Sequence, residues 1–342
     1  MDLIGNSQVT GFLQRVIAAG RLPGSFLFAG PEGIGKKQFA VELAKSILCA
    51  ETDSFGSCGK CSVCMRAGEF TFPTSEKKDD YERVFFSGHA DVGMIIPYGR
   101  NISVGAIREL EREANFRPYE GKLRFFIIDD AEKMNLSAAN ALLKTLEEPP
   151  ATTHIILLTS RYNSLLQTII SRCQIVRFQP IAAADIEQFL LKTKEFSPED
   201  AMLAAKISQG SLSRALSMGG ENFRHQRDLM LNVLTAATFE SNRVRLLKAA
   251  EEMGDAKAKD DYEPRLDILQ SLIHDTWLLK KDAPLASLTN ADLHTQLLGC
   301  AGHTTAETLV EWLNAIEKVR ADLLVNINRK IATDALFMSA AS

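Results

Sequence analysis

At 342 residues the chain is long enough for two or three domains, and 46% apolar with 24% charged residues is an ordinary globular mix. The formal charge of −4 is small for this length and argues against a dedicated nucleic-acid binder with a broad basic face. Met1–Thr10 lack the basic start and apolar run of a signal peptide, and no stretch approaches the roughly 18 apolar residues that span a bilayer. A cytoplasmic protein without membrane contact is expected, its six cysteines free of disulfides.

In chain order, Ser25–Ala29 is a short apolar run that reads as a buried strand ending in a glycine-rich turn. From Lys37 to Leu48, Phe39, Ala40, Leu43, Ala44, Ile47 and Leu48 recur at helical spacing. Residues 71–82 mix Pro, Ser, Lys, Asp and Glu with little to bury, which predicts an exposed, mobile loop. Asp91–Ile96, Leu123–Asp129, His154–Thr159 and Gln174–Phe178 read as further buried strands. Helical patterns over Val104–Asn115 and Leu136–Glu147 separate them, the second stopped by Pro149-Pro150. Such alternation predicts a mostly parallel sheet covered on both faces. After Pro180 only helical patterns remain: Ala184–Thr193, Pro198–Ser208 and Leu212–Met218, a linker at Gly219-Gly220, then patterns such as Leu309, Trp312, Leu313, Ile316, Val319, Leu323 and Leu324.

Gly30–Lys36 (GPEGIGK) matches G-x-x-x-x-G-K. Gly30, Gly33 and Gly35 let backbone N–H groups turn toward phosphate oxygens, the helix N-terminus adds its dipole, and Lys36 reaches the β- and γ-phosphates. A chance glycine turn is the bland alternative. The motif departs at its next position, where a Ser or Thr hydroxyl ligates Mg²⁺ and this chain has Lys37. An ammonium has donors only and cannot ligate a cation. Phe125–Asp130 is an apolar strand ending in two acids. Asp129 stands where a metal-supporting carboxylate belongs, and Asp130 where such NTPases place a Glu that orients the attacking water. Asp is a methylene shorter, and a misplacement of about 1 Å can cost on the order of 100-fold in rate. An innocent helix cap explains the Asp pair equally well.

Cys49, Cys58, Cys61 and Cys64 form C-x8-C-x2-C-x2-C, while Cys173 and Cys300 stand alone. Four thiolates suit a tetrahedral structural Zn²⁺ with no open position, the alternatives being an iron–sulfur cluster or a C-x-x-C redox pair. Lys60 and Arg66 are the basic residues here, too few for a DNA-binding module.

Together these motifs resemble those of the AAA+ clamp-loader subunits of bacterial DNA polymerase III, the delta-prime type above all. The likeness is carried by Gly30–Lys36, the cysteine cluster, Ala138–Pro150 (AANALLKTLEEPP), Leu165–Ile170, Ser171-Arg172-Cys173-Gln174 and Gly210–Leu216 (GSLSRAL). Asn326-Ile327-Asn328-Arg329-Lys330 adds a weaker match, and His89-Ala90-Asp91 replaces the usual His-Pro-Asp. The resemblance implies α/β plus all-α architecture: a RecA-like AAA+ P-loop domain over 1–178 with a zinc module at 49–64, a helical lid over 179–220, and a helical collar over 221–342. It implies a five-subunit ring with delta and gamma/tau partners that uses ATP to open the sliding clamp and load it on primer-template DNA. Arg172 is then an arginine finger acting in a neighbour's ATP site, rather than a surface ion pair, and Arg214 is the lid arginine of the nucleotide site. Lys37, Asp130 and the Ser213-Arg214 order favour the delta-prime type over a gamma/tau motor. Intrinsic ATPase is accordingly expected to be weak or absent, with ATP or ADP binding doubtful and Mg²⁺ binding weakened.

Overall fold

The computed structural model describes residues 3–52, 54–75, 77–219, 221–240, 242–254, 261–323 and 328–340. Expectations resting on Gly220, Leu324, Asn326 and Ile327 lie outside the described residues. The chain forms two compact units, Met1–Ile181 and Ala182–Ser342. Among the described residues, no helix is long and apolar enough to cross a membrane.

The first unit is built on strands β1 (Ser25–Ala29), β2 (Phe85–Phe86), β3 (Val92–Ile95), β4 (Arg124–Ile128), β5 (Thr153–Thr159) and β6 (Gln174–Arg177). They form one sheet in the order β2-β3-β4-β5-β1-β6. Every pairing is parallel except β2 against β3. Every residue of β1, β3, β4 and β5 is buried, as continuous apolar strands covered on both faces must be. The helices are α1 (Ser7–Ala18), α2 (Lys36–Leu48), α3 (Ser62–Arg66), α4 (Val104–Ala114), α5 (Leu136–Glu147) and α6 (Gln167–Ile170). One sheet face packs Phe126, Ile128, Ile155 and Leu157 against Ile107 and Leu110 of α4 and Leu142 and Leu146 of α5. Phe28 and Phe39 of α2 both meet Phe178, with ring centroids 5.2 and 5.1 Å away. Asn135 caps α5 by accepting from the Ala138 amide at 2.8 Å.

The chain reverses its direction of travel across the sheet at β1, which sits between β5 and β6. The loop after β1 therefore lies at the topological switch point, where open parallel sheets bind ligands. α2 carries the chain back to the opposite edge, about 20 Å away at 1.5 Å per residue.

One strand was not anticipated, and one expectation is corrected. The two-residue strand β2 is too short to show a period in the sequence. The segment 71–82, expected to be bare loop, is pinned: Phe72 packs edge-on to Phe85 at 5.8 Å, and Tyr81 meets Tyr98 at 5.1 Å. The Tyr81 hydroxyl also donates to the Pro73 carbonyl at 3.0 Å, and residues 78–81 form a 3₁₀ turn. Charged neighbours masked these two aromatic anchors.

The second unit is helical: α7 (Ala183–Thr193), α8 (Pro198–Ile207), α9 (Leu212–Ser217), α10 (Glu221–Thr238), α11 (Arg243–Gly254), α12 (Tyr262–Lys280), α13 (His294–Gly302), α14 (Ala306–Leu323) and α15 (Arg329–Ala340). α12 is buried nearly all round, Leu266, Ile268, Leu269, Leu272 and Ile273 being fully covered, as befits the central rod of a bundle.

The turn before β3 is closed by Asp91, which is fully buried. Its carboxylate accepts the amides of Tyr119, Glu120 and Gly121 at 2.7, 3.0 and 2.7 Å, and the equally buried Arg124 lies 3.6 Å away. Ala90 replaces the usual proline, and the amide it thereby retains donates to Glu120 at 3.2 Å. Asp91→Ala strands three amides and leaves the buried Arg124 guanidinium with Glu113 alone as its acceptor. A stability loss of about 3–5 kcal/mol is expected in urea unfolding of the full chain; a loss under about 1 kcal/mol contradicts this account of the turn.

Candidate functional site

The phosphate loop forms because only glycine fits its path. A Cβ on Gly30 meets the Phe178 carbonyl at 2.6 Å, and Gly33 and Gly35 hold left-handed φ values of 75° and 94°. Gly35 opens α2, whose first N–H groups have no partners within the helix and face the loop. Lys36 Nζ donates to the carbonyls of Gly30 and Pro31 at 2.8 and 2.6 Å, so it holds the loop's own backbone. Burial lowers the pKa of this amine against the opposing charge of Glu132 first, then Glu32, Asp130 and Asp129.

The structure brings the expected residues of the loop and of the β4 end together. Lys37 does not point away from the site: its Nζ lies 2.5 Å from Asp129 Oδ2. Burial raises the Asp129 carboxyl above its ordinary value, and Lys37 pulls it back. Asp130 adopts a left-handed φ of 49° and pairs with Lys133 Nζ at 2.8 Å. Its side chain makes no cap bond to the 3₁₀ turn that follows, so the helix-cap alternative fails for Asp130.

Glu132 is a site residue that the sequence reading missed. Its side chain is 2% exposed, and Oε1 accepts from the Ser160 amide and hydroxyl at 3.1 and 2.6 Å, tying the end of β4 to the end of β5. Burial works against its charge, but hydrogen bonds led by the Ser160 hydroxyl outweigh it and keep the carboxyl below its ordinary value. Oε2 has no hydrogen-bond partner among the described residues. Asp-Asp-x-Glu was the available signal, but the tight turn that swings Glu132 inward is tertiary.

These donors do not suit a divalent cation. Mg²⁺ takes oxygen ligands in a strict octahedron. Here an ammonium stands at the hydroxyl position and covers the Asp129 oxygen.

The cysteine cluster sits beyond the far end of α2. All four Sγ atoms lie within 4.8 Å of one another, with Cys49–Cys61 at 3.9 Å and Cys58–Cys64 at 3.7 Å. A tetrahedral ion bonded to sulfur at about 2.3 Å, as zinc is, sets sulfurs about 3.8 Å apart. Backbone amides point at the sulfurs: Glu51 to Cys49, Cys61 to Cys58 and Cys64 to Cys61, at 3.3–3.4 Å. Amides of Lys60 and Cys61 hold the Cys58 thiol down at about 6. Burial pushes Cys64 up to about 12, so its deprotonation calls for a neighbouring cation. The four residues can hold a metal. The module is clamped by Arg66, whose guanidinium makes two bonds to Glu120 at 2.9 and 2.8 Å and reaches the Gly88 carbonyl. This bidentate contact, with the Ala90 amide, holds the Glu120 carboxyl down at about 2.

Arg172 lies between α6 and β6, one-third exposed, bonded to the Thr168 carbonyl at 2.9 Å and paired with Glu147. It precedes β6, which runs parallel to β1, so it stands on the sheet edge opposite the phosphate loop. Arg214 belongs to a separate set in the second unit. It lies 3.2 Å from Asp267 of α12, which is fully buried and also pairs with Arg320 at 2.5 Å. This cluster joins α9, α12 and α14.

A family model described as DNA polymerase III, delta subunit, matches residues 5–182, and one described as its C-terminal part matches 221–338. The DNA polymerase III subunit delta' of Bacillus subtilis (strain 168) is 27% identical over 321 residues, covering 94% of this chain and 92% of that protein. The delta' subunit of Escherichia coli (strain K12) is 29% identical over 321 residues, 92% of this chain and 87% of its own length. The tau subunit of the same Bacillus is 27% identical over 280 residues but is covered over 46% of its length.

Arg214→Ala is expected to destabilise the helical unit by about 1.5–3 kcal/mol, the range for a hydrogen bond to a charged group. Arg320→Ala, which removes the nearer partner, costs more in the same calorimetric scan. Equal stability of wild type and Arg214→Ala rules out the bracing role.

Proposed function

We propose that the chain, which belongs to the delta-prime family of bacterial DNA polymerase III clamp-loader subunits, acts as a non-hydrolysing member of the loader ring. The observation that carries this reading is the Lys37–Asp129 ion pair, which puts an ammonium where hydrolysis needs a metal. Asp130 supports it, because its short carboxylate is already engaged by Lys133.

In this reading the chain contributes Arg172 to a neighbour's ATP site. Its guanidinium there stabilises charge on the transferring phosphoryl group. Two features favour action in trans. Arg172 is at least a strand length, about 13 Å at 3.3 Å per residue, from its own phosphate loop. Its present partner, Glu147, is half exposed, and exposed pairs contribute only about 0–1 kcal/mol, so the arginine is cheaply released. Ring partners are the delta and gamma/tau subunits, with the sliding clamp and primer-template DNA engaged through the assembled ring in the cytoplasm. Residues 179–220 serve as lid and 221–342 as collar, with Arg214 and Arg320 bracing the two through Asp267.

The metal is zinc and its role is structural. Four thiolates leave no open coordination position, and the Cys49–Cys61 and Cys58–Cys64 separations, 3.9 and 3.7 Å, suit a d¹⁰ ion with no demand beyond a tetrahedron.

The purified chain is expected to show negligible ATP hydrolysis, whereas Arg172→Ala in a reconstituted ring lowers the ring's turnover by on the order of 1,000-fold at the site it serves. Robust hydrolysis by the isolated chain, abolished by Lys36→Ala, would establish the competing motor reading. Elemental analysis is expected to find about one zinc per chain, with Cys64→Ser losing both metal and thermal stability. Iron with visible absorbance refutes the zinc assignment.

A further inference from the structure

Arg172 does not stand free at the sheet edge. Its guanidinium is gripped from two elements. Nη1 donates to the Thr168 carbonyl of α6 at 2.9 Å, and Nη2 pairs with Oε1 of Glu147, the last residue of α5. Helix formation does not ask for an acid at that place. Glu147 and Glu148 end α5, where the helix dipole is negative and disfavours a carboxylate. Among the described residues Arg172 is the only ion-pair partner of Glu147. The helix end is also fixed against the sheet. Pro149 lies so close to Gly24, just before β1, that a Cβ there would come within 2.5 Å of the proline ring.

The pairing bears directly on chemistry. A guanidinium stabilises a transferring phosphoryl group through its net positive charge. Joined to Glu147, the pair carries none. Arg172 therefore delivers its charge elsewhere only after leaving the carboxylate. We propose that Glu147 is a positioning residue that parks Arg172 in a charge-neutral pose on its own subunit and so restrains phosphoryl transfer in the neighbour's site until docking frees the guanidinium. The proposal rests on the reading of Arg172 as acting in trans, and adds the group that sets when the arginine is available. Replacing the carboxylate by an uncharged amide leaves the Thr168 contact in place and removes only the neutralisation. The side chains of Glu147 and Arg172 are 51% and 32% exposed, and a pair this open shifts the balance between parked and free arginine by no more than about fivefold. Glu147 thus tunes the rate and does not switch it off.

The test is ATP turnover by the reconstituted ring carrying the full chain as wild type, Glu147→Gln, Arg172→Ala or both, at low and at high salt. Glu147→Gln is expected to raise turnover about two- to fivefold at low salt. The gain fades at high salt, because an exposed pair is screened. In the Arg172→Ala background the same substitution changes nothing. The melting temperature of the isolated Glu147→Gln chain stays level or rises, since an acid has left a helix C-terminus. A role confined to bracing α5 against α6 gives the reverse, a lower melting temperature with no gain in turnover. Unchanged or reduced turnover in Glu147→Gln, or a gain that persists without Arg172, overturns the proposal. If Arg172→Ala lowers turnover while Glu147→Gln leaves it unchanged, the parking role alone fails. If Arg172→Ala leaves turnover intact, the reading of Arg172 in trans fails, and the parking role with it.

Discussion

The ion pair between Lys37 and Asp129 sets the character of the molecule. A P-loop domain brings a strand-end carboxylate to the first turn of a helix because a metal ordinarily bridges the phosphate and both elements. In this chain a cation on the helix itself lies 2.5 Å from that carboxylate. Asp129 is largely buried, and desolvation alone pushes its carboxyl toward neutrality. The ammonium opposes that push and allows the β4 end to stay charged and in place. The neighbouring pairs, Asp130 with Lys133 and Glu132 with Ser160 and Arg161, repeat the solution. The result is a strand end whose acids are each met by a basic side chain of the chain itself.

The two edges of the sheet divide the work. The C-terminal edge of β1 and β4 carries the phosphate loop and its acids. The opposite edge carries the features directed outward: the cysteine module beyond α2, the Arg66–Glu120 clamp and Arg172 before β6. Asp91 and Arg124 anchor that edge from inside. Neither has contact with water, and their cost is offset by hydrogen bonds from three successive amides and to the Glu113 carbonyl.

The helical unit repeats the theme on a smaller scale. α12 is almost wholly buried, and the carboxylate of Asp267 at its centre is met by Arg214 from α9 and Arg320 from α14. A buried acid with two arginines has few alternative arrangements, so the cluster fixes how these three helices stack.

Much of the fold could be read from residue order. Unbroken apolar runs gave buried strands at Ser25–Ala29, Arg124–Ile128 and Thr153–Thr159 because strands covered on both faces have no polar alternation to display. The proline pair Pro149-Pro150 marked the end of a helix for a similarly local reason. The phosphate loop and the cysteine spacing were legible too, because both sites are built from short contiguous segments. What depends on residues far apart was not. The sequence showed that Lys37 stands in the wrong place to help a metal; only the folded chain, which brings residue 129 back beside it, decided that it pairs with Asp129. Glu132 was invisible for the same reason, since its role exists only once β5 delivers Ser160. Arg214 carried a family expectation at the nucleotide, and folding gave it Asp267, 53 residues downstream, as a partner. Local periodicity and backbone chemistry are written along the chain, whereas charge pairing is a property of distance in space, and only the tertiary structure sets that.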